Sequence, residues 1–189
     1  MKYTVRRSVF ETNSSTNHTL SIRKCSLDKS DVFDQIKPFL DENGVLTIGK
    51  TTYTDLMKYI NKDVIHLYCL GFQTKIDILF YAAFISYETR DFVLALNDLS
   101  KILKRYDIKI KFDIENLIEA ADTYLDEGIL ALVSRELFKE EDILNFLFSK
   151  EVYYTEWCDE CNGQPSEEIE KIENKMYNDK DVIIIDSRM

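Results

Sequence analysis

The chain has 189 residues with 34 acidic and 24 basic side chains, a net charge of −10, and it is 45% hydrophobic and 12% aromatic. That composition and length suit a single globular domain and exclude disordered, collagen-like and disulfide-stapled miniature classes. The longest run without a charge inside the most apolar stretch, residues 78–87, falls far short of the roughly 20 residues a membrane span needs. The basic start Met1-Lys2-Tyr3-Thr4-Val5-Arg6-Arg7 has no apolar core behind it and is not read as a secretory signal. With 5 glycines and 2 prolines there is no room for a long flexible linker. The four cysteines, Cys25, Cys69, Cys158 and Cys161, are too scattered for a disulfide framework and are expected as reduced thiols.

Tyr3-Thr4-Val5-Arg6-Arg7-Ser8-Val9 alternates with β-branched residues, as does His18-Thr19-Leu20-Ser21-Ile22-Arg23-Lys24. The two predict a hairpin over 2–24 with a long hydroxyl-rich loop between its strands. A helix follows with Val32, Phe33, Ile36 and Leu40 on one face, strained at Pro38 and ended by Asn43-Gly44. Val45-Leu46-Thr47-Ile48 reads as a short strand, and Thr54 as the cap of a helix carrying Leu56, Met57 and Ile60. Residues 74–106 are apolar at helical spacing and predict two helices, the first apolar nearly all round and therefore central. A strand is expected over 107–112 and helices over 114–126, 129–138 and 140–148, with Glu140-Glu141-Asp142 at a helix start. Glu151-Val152-Tyr153-Tyr154-Thr155 predicts a strand, Ser166 caps a helix with Ile169, Ile172 and Met176 inward, and Val182-Ile183-Ile184-Ile185 reads as a buried strand. The fold class is α+β: one domain over 1–189 with a small, mostly antiparallel sheet. Its parts are the hairpin, a helical middle over 30–148 and a strand-helix-strand unit over 150–186.

Chemistry has three places to sit. The run from Arg7 to Thr19 concentrates hydroxyls and amides with a carboxylate and an imidazole, and such groups can cradle an anion or cap backbone. Its catalytic form uses Ser14 or Ser15 as nucleophile, His18 as base and Glu11 as orienting acid. Its anion-binding form uses Arg6, Arg7, Asn13, Ser14 and Ser15, because arginine forks suit phosphate. The second place is Cys158-Asp159-Glu160-Cys161, a spacing that chelates zinc but lacks a second local pair of ligands. Asp159 and Glu160 oppose the thiolate that a redox site needs. The third is His66, in the apolar stretch 64–70, which reads as a hydrogen-bonded core histidine. No Walker A loop, dinucleotide fingerprint, His-Glu-x-x-His or EF-hand pattern is expected.

Arg7, Phe10, Glu11, Thr12, Asn13, Ser14, Ser15 and His18 resemble the N-terminal signature Arg-x-x-Phe-Glu-Thr-Asn-Ser-Ser-Ser-x-His-Ser of an uncharacterised family of small proteins from phages and low-GC bacteria. Thr16 and Thr19 stand where that signature has serines, so both positions keep a hydroxyl. The resemblance implies a mobile-element accessory protein acting in the cytoplasm of a bacterial host.

Charge is uneven: residues 1–25 carry five cations and one acid, and residues 151–189 carry eleven acids and four bases. The preferred expectation is therefore a protein without catalysis that binds and inhibits a host protein through Glu156, Asp159, Glu160, Glu167, Glu168 and Glu170. These acids would imitate a nucleic-acid backbone on a basic target such as a CRISPR effector, with no direct nucleic-acid or membrane binding. The alternative is an enzyme or a nucleotide- or phosphate-binding protein using loop 10–19 with Arg6 and Arg7. No cofactor is expected apart from a zinc ion on Cys158 and Cys161.

Overall fold

Leu20 and Ile22 alternate with Thr19 and Ser21 along β1 (Thr16–Arg23), and all four are buried, so this strand is covered on both faces. The computed structural model describes residues 16–60, 62–85, 89–117, 128–137, 139–158 and 165–188. The expected strand over 3–9, the loop up to residue 15 and residues 118–126 of the expected 114–126 helix lie outside them.

β1 sits in a four-stranded antiparallel sheet of order β3-β5-β1-β6, with β3 Val64–His66, β5 Val152–Cys158 and β6 Val182–Arg188. Its register sets His18 opposite Glu156 of β5 and Leu20 opposite both Tyr154 of β5 and Ile185 of β6. Of the expected hairpin over 2–24, only the second strand falls among the described residues. β5 and β6 occupy both edges of β1 over its length. This ladder is long-range, joining the first described strand to the last two.

One face of the sheet, carrying His18, Leu20, Ile22, Val152 and Tyr154, joins the main core. The other carries Thr19, Ser21, Tyr153, Val182 and Ile184 and lies under α7 (Glu167–Met176). Ser166 caps α7 as expected, its hydroxyl accepting from the Ile169 N–H at 3.3 Å, and Ile169, Ile172 and Met176 face inward at helical spacing.

The helical middle comprises α1 (Lys29–Ile36), α2 (Tyr53–Ile60), α3 (Gly71–Ile85), α4 (Thr89–Lys104), α5 (Ile129–Glu136) and α6 (Glu140–Phe148). Pro38 splits the first helical segment, leaving a 3-10 turn at Lys37–Phe39 after α1. β2 (Val45–Ile48) and β4 (Lys109–Phe112) form a separate parallel pair. A parallel pair needs a long crossover, and α2 to α4 supply it.

α3 is buried all round from Lys75 to Ala82, as its continuous apolar run requires, and two charged groups travel inside with it. The Asp77 carboxylate accepts from the Gly49 N–H at 2.7 Å, the Thr51 hydroxyl at 2.6 Å and N–H at 3.1 Å, and Gln73 Nε2 at 3.1 Å. Burial pushes its pKa up while these donors pull it down. Gly49 turns the chain at φ +83, and a Cβ there would lie 2.5 Å from the Asp113 carbonyl oxygen and from the Phe80 ring. Lys75 donates to the Ser149 carbonyl at 3.1 Å, and burial pulls its pKa down to about 8.

Gly49→Ala combines a left-handed backbone strain with a clash that has no slack, so a loss of at least about 2 kcal/mol in unfolding free energy is expected from urea melts. The folded state binds a proton on Lys75 more weakly than the unfolded chain, so stability rises with pH from about 8 toward the ordinary value of 10.5. Thermal melts across that window should show the rise in the native protein and lose this component in Lys75→Met.

Candidate functional site

His18 and Glu156 are paired across the ladder, and Tyr154 is two residues before Glu156 on the same face of β5. The Tyr154 hydroxyl donates to Glu156 Oε2 at 2.7 Å and lies 2.7 Å from His18 Nδ1, while Nδ1 and Oε2 are 3.6 Å apart. A phenol has one proton. With that proton directed at the carboxylate, Nδ1–H is the donor to the tyrosine oxygen, and in the neutral ring Nε2 is the basic nitrogen. The imidazole is completely buried, whereas the Glu156 side chain is 28% exposed, so the chain of groups runs from the core outward. Gly128, at φ +92 ahead of α5, brings backbone close to the same hydroxyl, a Cβ there lying 4.0 Å from it.

His18 is thus joined to Glu156, although the sequence assigned the two to different sites. Glu11, Asn13, Ser14, Ser15, Arg6 and Arg7 lie outside the described residues, as do Asp159, Glu160 and Cys161; Cys158 ends β5, and its side chain is likewise not described. Among the described residues no group of three His, Cys, Asp or Glu side chains is arranged to hold a metal ion. Glu167, Glu168 and Glu170 are exposed in the first turn of α7, on the face of the sheet opposite to Glu156. Glu168 accepts from or pairs with His66 Nε2 at 2.9 Å, and Glu167 is 4.0 Å from Lys171. His66 is corrected from core to surface: it ends the short edge strand β3, about a third exposed, with its ring edge-on to Tyr153 at 5.3 Å.

Three groups escape a sequence reading. Tyr154 is concealed in an aromatic pair, and only the two-residue spacing to Glu156 hints that they share a face. Glu173 of α7 lies near Asp186 of β6, and burial, then Asp186 and then Glu170 push its carboxyl pKa up. The third is in the letters themselves. Gly44-Val45-Leu46-Thr47-Ile48-Gly49-Lys50-Thr51 does spell the G-x-x-x-x-G-K-T pattern, a correction to the expectation that it is absent. Its four middle residues are strand β2 itself, so no loop wraps a phosphate. The Gly49 and Thr51 amides that could have held one are engaged by the Asp77 carboxylate.

Compared with family models, with curated proteins and with solved structures, the chain matches none. Among the described residues no helix is long and apolar enough to cross a membrane.

Tyr154→Phe removes the group between imidazole and carboxylate and leaves the buried His18 Nδ1 and the half-exposed Glu156 carboxylate facing an apolar edge. The expected cost is about 1–3 kcal/mol in unfolding free energy. Nitrogen-15 spectra of the His18 ring should show Nδ1 protonated in the native protein and a tautomer mixture in the variant.

Proposed function

We propose that the chain is a phage or mobile-element accessory protein that binds and inhibits a host protein through an acidic surface centred on α7. The supporting observation is the placement of Glu167, Glu168 and Glu170 on one exposed helical turn, with Glu173 and Asp186 continuing the same side of the sheet. The rise in the Glu173 pKa reflects burial together with the negative charge of Asp186 and Glu170, so the acids of this side add to one another. A surface of that kind steers a basic partner, such as a protein with a nucleic-acid cleft, over a range set by ionic strength. Glu156 does not belong to it, because its carboxylate is on the opposite face with Tyr154.

A second reading draws on the His18–Tyr154–Glu156 chain: an enzyme or a phosphate- or nucleotide-binding protein using loop 10–19 with Arg6 and Arg7. Orientation of Nδ1 by Tyr154 leaves Nε2 as the proton acceptor, which is what a general base requires. The complete burial of the ring weighs against it and favours a role for His18 in fixing the strand that follows the loop.

Reversing Glu167, Glu168 and Glu170 to lysine should abolish inhibition in the host while leaving the melting temperature within a few degrees. Affinity of the native protein for its captured partner should fall steeply as sodium chloride is raised. An affinity indifferent both to the reversal and to salt would remove the acidic-surface reading. In that event, calorimetric binding of inorganic phosphate, lost on replacing Ser14, Ser15 and His18 together by alanine, would favour the second.

A further inference from the structure

We propose that the outer edge of β6 is a strand-addition site, at which an extended, basic segment of the partner pairs with Val182–Ile185 as a fifth strand on the side of α7 that carries Glu170 and Glu173. This rests on the partner-binding reading above and says where and how that partner is held.

The backbone directions follow from two hydrogen bonds. The Arg23 N–H bonds the Glu151 carbonyl on the β5 side at 2.9 Å, and the Lys24 N–H bonds the Asp181 carbonyl on the β6 side at 2.8 Å. Even-numbered residues of β1 therefore serve β6, and in the observed register their partners are Asp181, Ile183 and Ile185. Val182 and Ile184 turn their backbone groups the other way, away from the sheet. The Val182 N–H is taken by the Asp179 carbonyl at 3.3 Å, but the Ile184 N–H and C=O meet no partner among the described residues. β6 stands at the end of the strand order, and its four consecutive β-branched residues are half-buried, Ile183 and Ile185 against the main core and Val182 and Ile184 under α7. The sequence reads that run as a buried strand; the structure makes it an edge. An extended, apolar edge of this kind is a template for another strand, and Val182–Ile185 carry none of the charges that ordinarily protect such edges; Asp181 precedes them, and Asp186 and Arg188 follow within β6.

Charge selects the occupant. Val182, Ile184 and Asp186 share the face under α7, where Asp186 is close enough to Glu173 to act on its ionisation together with Glu170. A fifth strand lying there meets negative charge on that face and Ile183 and Ile185 on the other, so it suits a segment alternating basic and apolar residues. A second copy fits poorly. Antiparallel self-pairing about Ile184 would set Val182 against the other copy's Asp186 and bring both acidic groups to one seam, in a protein of net charge −10.

The probe is a short synthetic peptide of alternating lysine and valine, compared with the same peptide N-methylated at alternate residues and with one of alternating glutamate and valine. The lysine peptide should bind by fluorescence anisotropy and slow hydrogen exchange at the Ile184 amide. N-methylation should weaken binding by at least about tenfold, since main-chain donors carry strand addition. Ile184→Pro should do the same with the ladder to β1 intact, as proline is tolerated where the N–H faces outward. Equal affinity for the N-methylated peptide, or unchanged exchange at Ile184, overturns strand addition and leaves the acidic-surface reading standing. Equal affinity for the glutamate peptide overturns the basic selectivity, and the acidic-surface reading with it. A monomer–dimer equilibrium in sedimentation, abolished by Ile184→Pro, would overturn the proposal in favour of self-pairing.

Discussion

The double pairing of β1 is the constraint from which the rest of this architecture follows. A strand bonded along both edges over its length must be central, so the strands beside it, β5 and β6, have to come from the far end of the chain. That closure brings His18 to Glu156 across 138 residues of sequence and lets α7 lie over the second face. It also decides which strands remain at the rims: three-residue β3, backed by His66 and Glu168, and the longer, apolar β6. The candidate interaction surfaces are consequences of where β1 sits, and none needs a special device of its own.

Inside the helical layer, two buried ionisable groups show how differently burial can be offset. Asp77 draws four donor groups from the turn after β2 and from its own helix, which fastens the parallel pair β2–β4 to α3. Lys75 has one carbonyl partner, and desolvation dominates its ionisation. The Asp77 arrangement bears on function as well. A turn whose amides face a carboxylate of the protein itself is an internal brace, which is why the Gly49-Lys50-Thr51 letters carry no phosphate site here.

The two readings of function differ in which end of the molecule they use. Glu167, Glu168 and Glu170 of α7 and Asp186 of β6 are exposed, and their charge adds to that of half-buried Glu173, whereas His18 is enclosed behind Tyr154 and Glu156. An electrostatic surface acts at a distance through solvent, and enclosure does not serve it; a proton-accepting histidine works at contact. Burial of the imidazole therefore weighs against the proton-accepting reading.

Local patterning determined most of the elements. Alternation placed β1, β2 and β5, helical spacing placed α3, α4 and α7, and Ser166 and Pro38 marked a cap and a split where the structure has them. These signals are legible because side-chain period and capping are properties of a few adjacent residues. Strand partners were not legible, since a β-ladder carries no local record of which strand lies on its other side. The edge position of β6 and the partly exposed position of His66, both read from the sequence as interior, differ for that reason. Likewise, the sequence named His18 and Glu156 as chemically interesting but assigned them to separate sites, and left Tyr154 as one aromatic among many. Only pairing β1 with β5 in this register sets one phenol proton between them, and only the end position of β6 leaves the Ile184 backbone facing outward.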